Sequence, residues 1–439
     1  MKITFVTETY PPEINGVALT VLSLVQHCRK LGHHVEVVRP EQPGDAAKSP
    51  ERLIVELLVP GAQLPFYAGL RFGLPAKRRL LKHWQNVRPQ GVYVATEGPL
   101  GWTAVSAARQ LGIPVVTGLH TRFDDFMDHY GFSFLRRPAF AFMRAFHNRA
   151  RATLVPTTSL QKLLNSRGFK RVERLERAVD TSAFAPKHRS ETVRAAWGCK
   201  PFPCDSTASK QASAPAVLFV GRIAAEKNLP LAVRAFNAIA QQYPDARMIW
   251  VGDGPANSAL RASLAADTRH VFCGMLRGEA LSAAYASADL FLFPSMSETF
   301  GNVTLEALAS GLPVCAFDYG AAEEFVVNGG NGQLAHFGDE VGFVAQALWL
   351  AHALHQNPLS LRQCARRSVE HLNPSNVAGA LVELFQELRP VNRGSINRLA
   401  QAQTTQAQTT QAQVMQAHVK QAHVAQAQGA HDAAKYERV

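Results

Sequence analysis

The sequence has no run approaching the 18 or so consecutive apolar residues that a membrane-spanning helix needs, so it is not expected to be integral to a membrane. Its opening, MKITFVTETYPPEING, has no apolar leader region and no small-residue cleavage pattern. It reads as a first buried strand entering a Pro-Pro loop, and the expected location is cytoplasmic. Cysteine is scarce: six residues (28, 199, 204, 273, 315 and 364) are scattered without Cys-x-x-Cys spacing or histidines in ligand register. Neither a zinc site nor a disulfide framework is indicated. Reduced thiols are the expectation, with Cys199 and Cys204 the one pair placed to cross a loop. Acidic residues are thin in the first half, where residues 1–190 hold 27 Lys and Arg against 14 Asp and Glu. The remainder holds 19 against 20, so the whole excess behind the net charge of +12 belongs to the first half.

What is present is an ordinary globular mix, 47% apolar and 18% charged, in a chain of 439 residues, which is long enough for two cores and a tail. The first third alternates β-branched runs with helical stretches: KITFVTE, a helix from Gly16 to Leu31, HHVEVVRP, a basic amphipathic stretch, GVYVAT, another helix and IPVVTGLH. That rhythm predicts a parallel sheet covered by helices on both faces, with its ligand edge at the carboxyl ends of the strands. The polar stretch CKPFPCDSTASKQASAPA (Cys199 to Ala216) interrupts the pattern and reads as a loop insertion at a domain junction. The rhythm restarts with AVLFVGR, ARMIWVGDGP, HVFCGM, DLFLFPS and LPVCAFD, a second parallel-sheet domain. After about Arg389 a near-repeat of Gln and Ala follows, which cannot bury a core.

Three segments of the second half carry candidate chemistry. In VGRIAAEKN a buried strand ends at Gly221, followed by Arg222 and Lys227; two cations there suit a diphosphate, or are the charges of a solvated helix start. In VGDGP, Gly252 and Gly254 let backbone approach a ligand or simply make the turn. FPSMSETFGNVTLEALASG leaves a strand, crosses a polar loop carrying Glu298 and enters a helix near Asn302, with Glu306 about one turn inside. A helix start offers free N–H groups and the positive end of a dipole to a phosphate.

Together, GR-x-x-x-EK (Gly221 to Lys227), VGDGP and SETFG-x-x-x-LEALASGLPV resemble the retaining glycosyltransferases of the GT-B fold, whose E-x7-E motif has the spacing of Glu298 and Glu306. The resemblance extends through EFVVNGGNGQL, ETYPPEINGVALTV and LHTRFDDFMDHYGF and covers roughly residues 1–390. HTRFDDFMDHYGF with FHNRARATLVPT looks similar to bacterial GDP-mannose-dependent α-mannosyltransferases, with glycolipid glycosyltransferases nearby.

The resemblance implies an α/β chain of two Rossmann-like parallel-sheet domains facing a cleft, with a low-complexity C-terminal tail. The expected boundaries are an acceptor domain at 1–185, a linker and insertion at 186–216, a nucleotide-sugar domain at 217–375, a helix at 376–392 crossing back to the first domain, and the Gln/Ala-rich tail at 393–439. By resemblance Arg222 and Lys227 stabilise the departing diphosphate, Glu298 faces the transferred sugar, and Glu306 takes the ribose hydroxyls. The backbone of Phe300, Gly301, Asn302 and Val303 meets sugar hydroxyls and phosphates, while the turn at Cys273, Gly274 and Met275 faces the nucleobase. Gly16 approaches the diphosphate and His120 stands near the sugar, against the alternative of a strand-end histidine bonded to backbone. The donor, GDP-mannose or a UDP-hexose, is a substrate, and neither a cofactor nor a metal is implied. No Asp-x-Asp motif occurs; Asp124 and Asp125 are adjacent. The linker motif usually written Asn-Gly-Val-Asp appears as Arg177-Ala178-Val179-Asp180.

Two segments of the first domain, LRFGLPAKRRLLKHW and FSFLRRPAFAFMRAFHNRARATL, interleave large apolar residues with Arg and Lys. Phe134, Phe140, Phe142, Met143 and Phe146 accompany Arg136, Arg137, Arg144, Arg149 and Arg151. They read either as core helices with a solvated basic face or as surfaces that rest on anionic lipid. With the charge excess in the acceptor domain, peripheral contact with the inner face of the cytoplasmic membrane is expected; no nucleic-acid fold signature accompanies the charge. The expected function is transfer of a hexose from a nucleotide-sugar to a lipid or glycan acceptor with retention. A nucleotide-sugar epimerase of the same architecture and a non-catalytic binding protein are the alternatives.

Overall fold

The computed structural model describes residues 1–13, 15–42, 45, 55–63, 71–120, 136–199, 214–298 and 300–388. The expectations for Asp124, Asp125, Phe134, Cys204, the side chains of Arg136 and Arg137, and the tail at 393–439 fall outside the described residues. Met1–Glu387 make up one unit.

The first lobe is built on β1 (Lys2–Val6), β2 (His34–Pro40), β3 (Val55–Val59), a short antiparallel pair β4 (Gly61–Gln63) and β5 (Arg71–Gly73), then β6 (Gly91–Val94), β7 (Val115–Gly118), β8 (Ala152–Val155) and β9 (Val172–Arg174). Apart from that pair, all are parallel, in the order β3-β2-β1-β6-β7-β8-β9. Ile3, Phe5 and Val6 are buried, because helices cover both faces of a parallel sheet and leave no strand face for water. The second lobe repeats the plan with β10 (Ala216–Val220), β11 (Arg247–Val251), β12 (His270–Gly274), β13 (Leu290–Phe293), β14 (Val314–Phe317) and β15 (Gly332–Ala335), in the order β12-β11-β10-β13-β14-β15. Its two cores lie on opposite faces: Leu218, Phe291 and Leu305 on one, Phe219, Trp250 and Phe343 on the other. Each sheet therefore reverses strand order once, between β1 and β6 and between β10 and β13. A reversal sends adjacent loops to opposite faces and opens a crevice.

Three features join the lobes. Helix Pro374–Glu387 packs against helix Gly16–Lys30 of the first lobe. Phe385 closes on Gly91, where a Cβ would come within 2.5 Å of the ring. The Glu324 carboxylate, on helix Gly320–Phe325, accepts from the N–H and hydroxyl of Thr158 at the first turn of helix Thr158–Ser166. The linker is held by Arg366, which donates to the carbonyls of Phe184 (2.9 Å) and Thr181 (2.9 Å).

The segment before residue 200 packs on the second lobe through Asp289. This buried carboxylate accepts from Arg194 Nη1 (2.9 Å), Arg189 Nη1 (3.3 Å) and the Ala216 N–H (2.9 Å), with Arg362 Nη1 3.6 Å away. It ties the linker to the first residue of β10. Removing one partner of such a buried cluster leaves desolvated cations uncompensated. Asp289→Ala is expected to lower unfolding stability by about 3–5 kcal/mol in urea titrations, with Asp289→Asn costing less.

Candidate active site

The two sheet reversals face one another across a cavity of about 1050 Å³. From the first lobe come Glu8 and Thr9 after β1, Asn15 and Gly16 at a helix start, Thr96 and Glu97 after β6, and His120 after β7. Arg71 and Phe72 of the short antiparallel pair add to that wall. From the second lobe come Glu298, Phe300, Gly301 and Asn302. Gly16 follows the N-cap Asn15, whose side chain accepts from the Ala18 N–H at 2.9 Å. A Cβ at Gly16 would meet nothing within 4 Å, so the position opens directly on the cavity.

On the second-lobe side, Lys227 ends a 3-10 turn, Ala225–Lys227, just past β10, and its Nζ donates to Glu298 Oε1. Ser295 Oγ donates to the same oxygen at 2.8 Å, and Nζ lies 5.7 Å from the Phe293 ring centre. The loop carrying Glu298 is fixed at three points: the Met296 N–H donates to Glu226 O (2.9 Å), the Tyr319 hydroxyl to Ser295 O (2.7 Å) and the Ala321 N–H to Phe300 O (2.7 Å). Gly301, at φ 92°, caps helix Asn302–Ala309 from the left-handed region, which explains glycine there. The Asn302 and Val303 N–H groups at the start of that helix have no intrahelical partner, while the Thr304 N–H donates to Gly301 O at 3.0 Å. Phe300 is buried in the core, so only its backbone is offered; Val303 packs on the same core and Asn302 is exposed.

Arg222 stands apart: its side chain is 64% exposed and pairs with Glu226 at 3.4 Å. Gly274 is in the left-handed region (φ 67°), its carbonyl accepting from the Gly252 N–H at 2.8 Å, and Met275 is 62% exposed beside it. That turn lies on the far side of β10 from Glu298, since β11 and β12 run outward from the reversal.

Glu306 lines a second, smaller cavity of about 160 Å³, together with Asp180 and Phe184 of the linker and with His120, Arg177 and Asn302. Its Oε2 accepts from the buried Tyr285 hydroxyl at 2.9 Å, and burial pushes its pKa up. His120 Nε2 shares a hydrogen bond with Tyr93 at 2.8 Å, while Nδ1 has no partner among the described residues. Burial holds its pKa well below the usual imidazole range, so His120 is neutral and can present one ring nitrogen to a ligand.

Several residues in or beside the cavities were given no role by the sequence. Glu8 accepts from the N–H groups of Leu100 (3.1 Å) and Gly73 (3.3 Å), and burial lifts its pKa to about 7. Trp102 packs against the half-exposed Phe142 (5.2 Å) and under Arg149 (5.4 Å). Tyr93 and Tyr285 sit in apolar runs where nothing distinguishes them from core. Among the described residues no three His, Cys, Asp or Glu side chains converge as a metal site.

Glu306 supplies a stability test. Its native pKa lies above the ordinary glutamate value of 4.5, so the native state holds its proton while the unfolded chain loses it. Stability then falls as pH rises through that window. Glu306→Gln keeps an acceptor for Tyr285 and removes the charge; it is expected to be more stable than wild type at pH 8, with the gain vanishing toward pH 4.5. Urea midpoints across that range check this, and a variant less stable at pH 8 would contradict it.

Comparison with known proteins agrees with the architecture. Residues 14–183 match the glycosyltransferase family 4 model and residues 214–353 the model of glycosyl transferases group 1. A GDP-mannose-dependent alpha-mannosyltransferase from Mycolicibacterium smegmatis is 35% identical over 331 residues, 74% of this chain and 82% of that one. An alpha-monoglucosyldiacylglycerol synthase from Streptococcus pneumoniae is 26% identical over 72% of this chain and 71% of its own. Among solved structures, Anabaena HepE in complex with UDP superposes with a TM-score of 0.66 at 17% identity, over 88% of this chain and 100% of that one. Matched in both lobes by family models and along most of its length by a mannosyltransferase, the chain belongs to the GT-B glycosyltransferases of family 4 and group 1.

Proposed function

We propose that this glycosyltransferase moves a hexose of the mannose or glucose type from a nucleoside diphosphate donor to a lipid or glycan acceptor, with retention of anomeric configuration. The observation that carries the reading is the Lys227–Glu298 pair at the β10/β13 reversal, facing Gly16 and His120 across the large cavity with Glu306 in the adjoining small one. On this reading the sugar lies between Glu298 and His120, and the ribose lies at Glu306. The exposed Gly274–Met275 turn is assigned to the nucleobase. The relatives' printed names, a mannosyltransferase using GDP-mannose and a glucosyldiacylglycerol synthase, support the sugar and acceptor classes.

The chemistry follows from charge. The bond from sugar C1 to the β-phosphate oxygen breaks and its electron pair stays on that oxygen. Lys227, with Arg222 swinging in from solvent, stabilises the charge as it develops. The acceptor hydroxyl oxygen bonds to C1 on the face the diphosphate leaves, and its proton passes to a phosphate oxygen. Neither glutamate is a nucleophile: Glu298 is held by Lys227 and Ser295, and Glu306 by Tyr285. The protein's own cations carry the electrostatic work on this reading, and no metal or cofactor is assigned a step.

We assign the enzyme to the cytoplasmic face of a membrane as a peripheral protein. No helix among the described residues is long and apolar enough to cross a membrane. In helix Lys77–Val87, Leu80 and Trp84 are buried, and in helix Arg136–His147 so are Met143 and Phe146, while Phe142 faces the cavity. The apolar residues of both basic segments are thus used mainly in the first lobe. Arg78, Arg79, Lys82 and Arg144 remain as exposed cations on the two helices. Contact with lipid on this reading is electrostatic, without deep insertion.

Two experiments test the reading. Purified protein incubated with radiolabelled GDP- and UDP-sugars and membrane lipids should give a lipid-extractable product, and Lys227→Ala should lower the rate by about 10²–10³-fold while remaining folded. Nucleotide release without product, or full activity in the variant, would overturn it. In co-sedimentation, binding to vesicles rich in anionic lipid should be largely lost between about 0.05 and 0.5 M salt, as the screening length shrinks. Binding that survives high salt would point to apolar insertion instead.

A further inference from the structure

The large and small cavities have three wall residues in common: His120, Arg177 and Asn302. Resting on the transferase reading, with the sugar in the large cavity and the ribose in the small one, the donor's diphosphate must cross where these residues meet. We propose that Arg177 is a third diphosphate-binding cation, supplied by the end of the first lobe, which grips the phosphates from the wall opposite Lys227.

Arg177 is only 7% exposed, an unusual place for a guanidinium unless a carboxylate accompanies it. None does among the described residues. Its Nη1 donates to Thr20 Oγ1 on helix Gly16–Lys30, and Thr20 Oγ1 in turn donates to Gly16 O at 2.7 Å. Asp180, three residues on and in the same small cavity, is already engaged: it accepts from the Ser182 hydroxyl at 2.6 Å and from the N–H groups of Ser182 and Ala183 at 3.0 Å each. Thr20 orients the guanidinium without neutralising it.

The surroundings add positive potential, and the carboxylates that share the small cavity are engaged by other partners: Glu176 by Arg174, Asp180 by Ser182 and Glu306 by Tyr285. Arg177 contacts Thr20, one turn into the helix that begins at Gly16, and shares the large cavity with that helix start; Asn302 brings the start of a second helix to the same junction. Both are positive dipole ends. The neighbouring Tyr93 and His120 are uncharged, the first because burial raises the phenol pKa and the second because burial lowers that of the imidazole. Burial also draws the arginine's own pKa down to about 10, so a bound anion would repair an existing desolvation cost. A planar guanidinium matches two phosphate oxygens in a way lysine does not. The sequence carries the corresponding mark: arginine stands where the linker motif usually has asparagine.

Because Arg177 belongs to the first lobe and Lys227 to the second, a diphosphate held by both would link donor binding to the approach of the lobes. When the C1–O bond breaks, the electron pair left on the β-phosphate would be shared between cations from both walls.

The test is calorimetric titration of the full chain with GDP and UDP, their monophosphates and the free nucleosides, for wild type, Arg177→Gln, Arg177→Lys and Thr20→Val. Loss of a charge-assisted hydrogen bond predicts a fall of about ten- to a hundredfold in diphosphate affinity for Arg177→Gln. Nucleoside affinity should change by less than about twofold, and Arg177→Lys should recover part of the loss. Thr20→Val, which keeps the charge, should retain the preference for diphosphate over nucleoside. The unliganded melting temperature of Arg177→Gln should not fall, since a buried uncompensated charge is removed. Unchanged diphosphate affinity in Arg177→Gln, or equal losses for diphosphate and nucleoside, would overturn the inference and leave the transferase reading standing. A wild type with no preference for diphosphate would overturn both.

Discussion

Everything at the site depends on two reversals of strand order. A chain that starts a parallel sheet in the middle, builds one way and then returns to build the other must leave a crevice at the carboxyl end of its first strand. This protein does so twice. The loops after β1 and β6 meet where the Glu8 N–H donates to Thr96 Oγ1 at 3.1 Å, and those after β10 and β13 meet where Lys227 reaches Glu298. The second crevice is rigid because β14, the next strand in the sheet, also contributes: Tyr319 and Ala321 hold the loop that carries Ser295 to Phe300. Three adjacent strand ends thereby set one ion pair, and no single loop is asked to be rigid alone. At Gly320, a Cβ would lie 2.7 Å from Phe300 O, so even the glycine there serves this close approach.

Legibility in the sequence followed the strength of local signals. The long β-branched runs such as AVLFV and RMIWV declared themselves, as did the helix after SETFG, and all appear as elements with nearly the expected ends. β15, GQLA, was not legible: its one large apolar residue makes no pattern, and it is a strand because β14 offers it a ladder. β9, VER, is likewise a three-residue edge defined by its neighbour. At the site, Glu298 and Lys227 were legible through motif spacing and the structure brings them into contact. Tyr285 and Tyr93 were invisible, because a buried hydroxyl in an apolar run acquires meaning only when a tertiary partner, Glu306 or His120, is placed against it. The basic aromatic helices show the reverse failure. Interleaving of apolar and cationic residues cannot say whether the apolar face meets lipid or the protein's own core, and Trp84 and Phe146 turn out to be core.

The buried ionisable groups divide by location, and the division separates what holds the fold from what serves the cleft. Inside the lobes they are matched: Arg39 is clamped by Asp45 (2.8 Å) and by Glu56 (2.6 Å), and Arg194 by Asp289 (2.9 Å). Along the cavity walls, the Lys227–Glu298 pair apart, several are not. Among the described residues, Glu8 rests on backbone N–H groups with no cation, Glu306 on a phenol, Arg177 on a hydroxyl, and His120 has a bare nitrogen. Each unmatched group costs stability that clusters such as the one on Asp289 can offset elsewhere. A fold selected for stability alone would pair them or replace them with apolar residues of similar size. Their concentration where the two strand-order reversals face each other is what is expected of a surface whose missing partners arrive with a polyhydroxylated, anionic ligand: hydroxyls for the carboxylates and imidazole, phosphates for the cations.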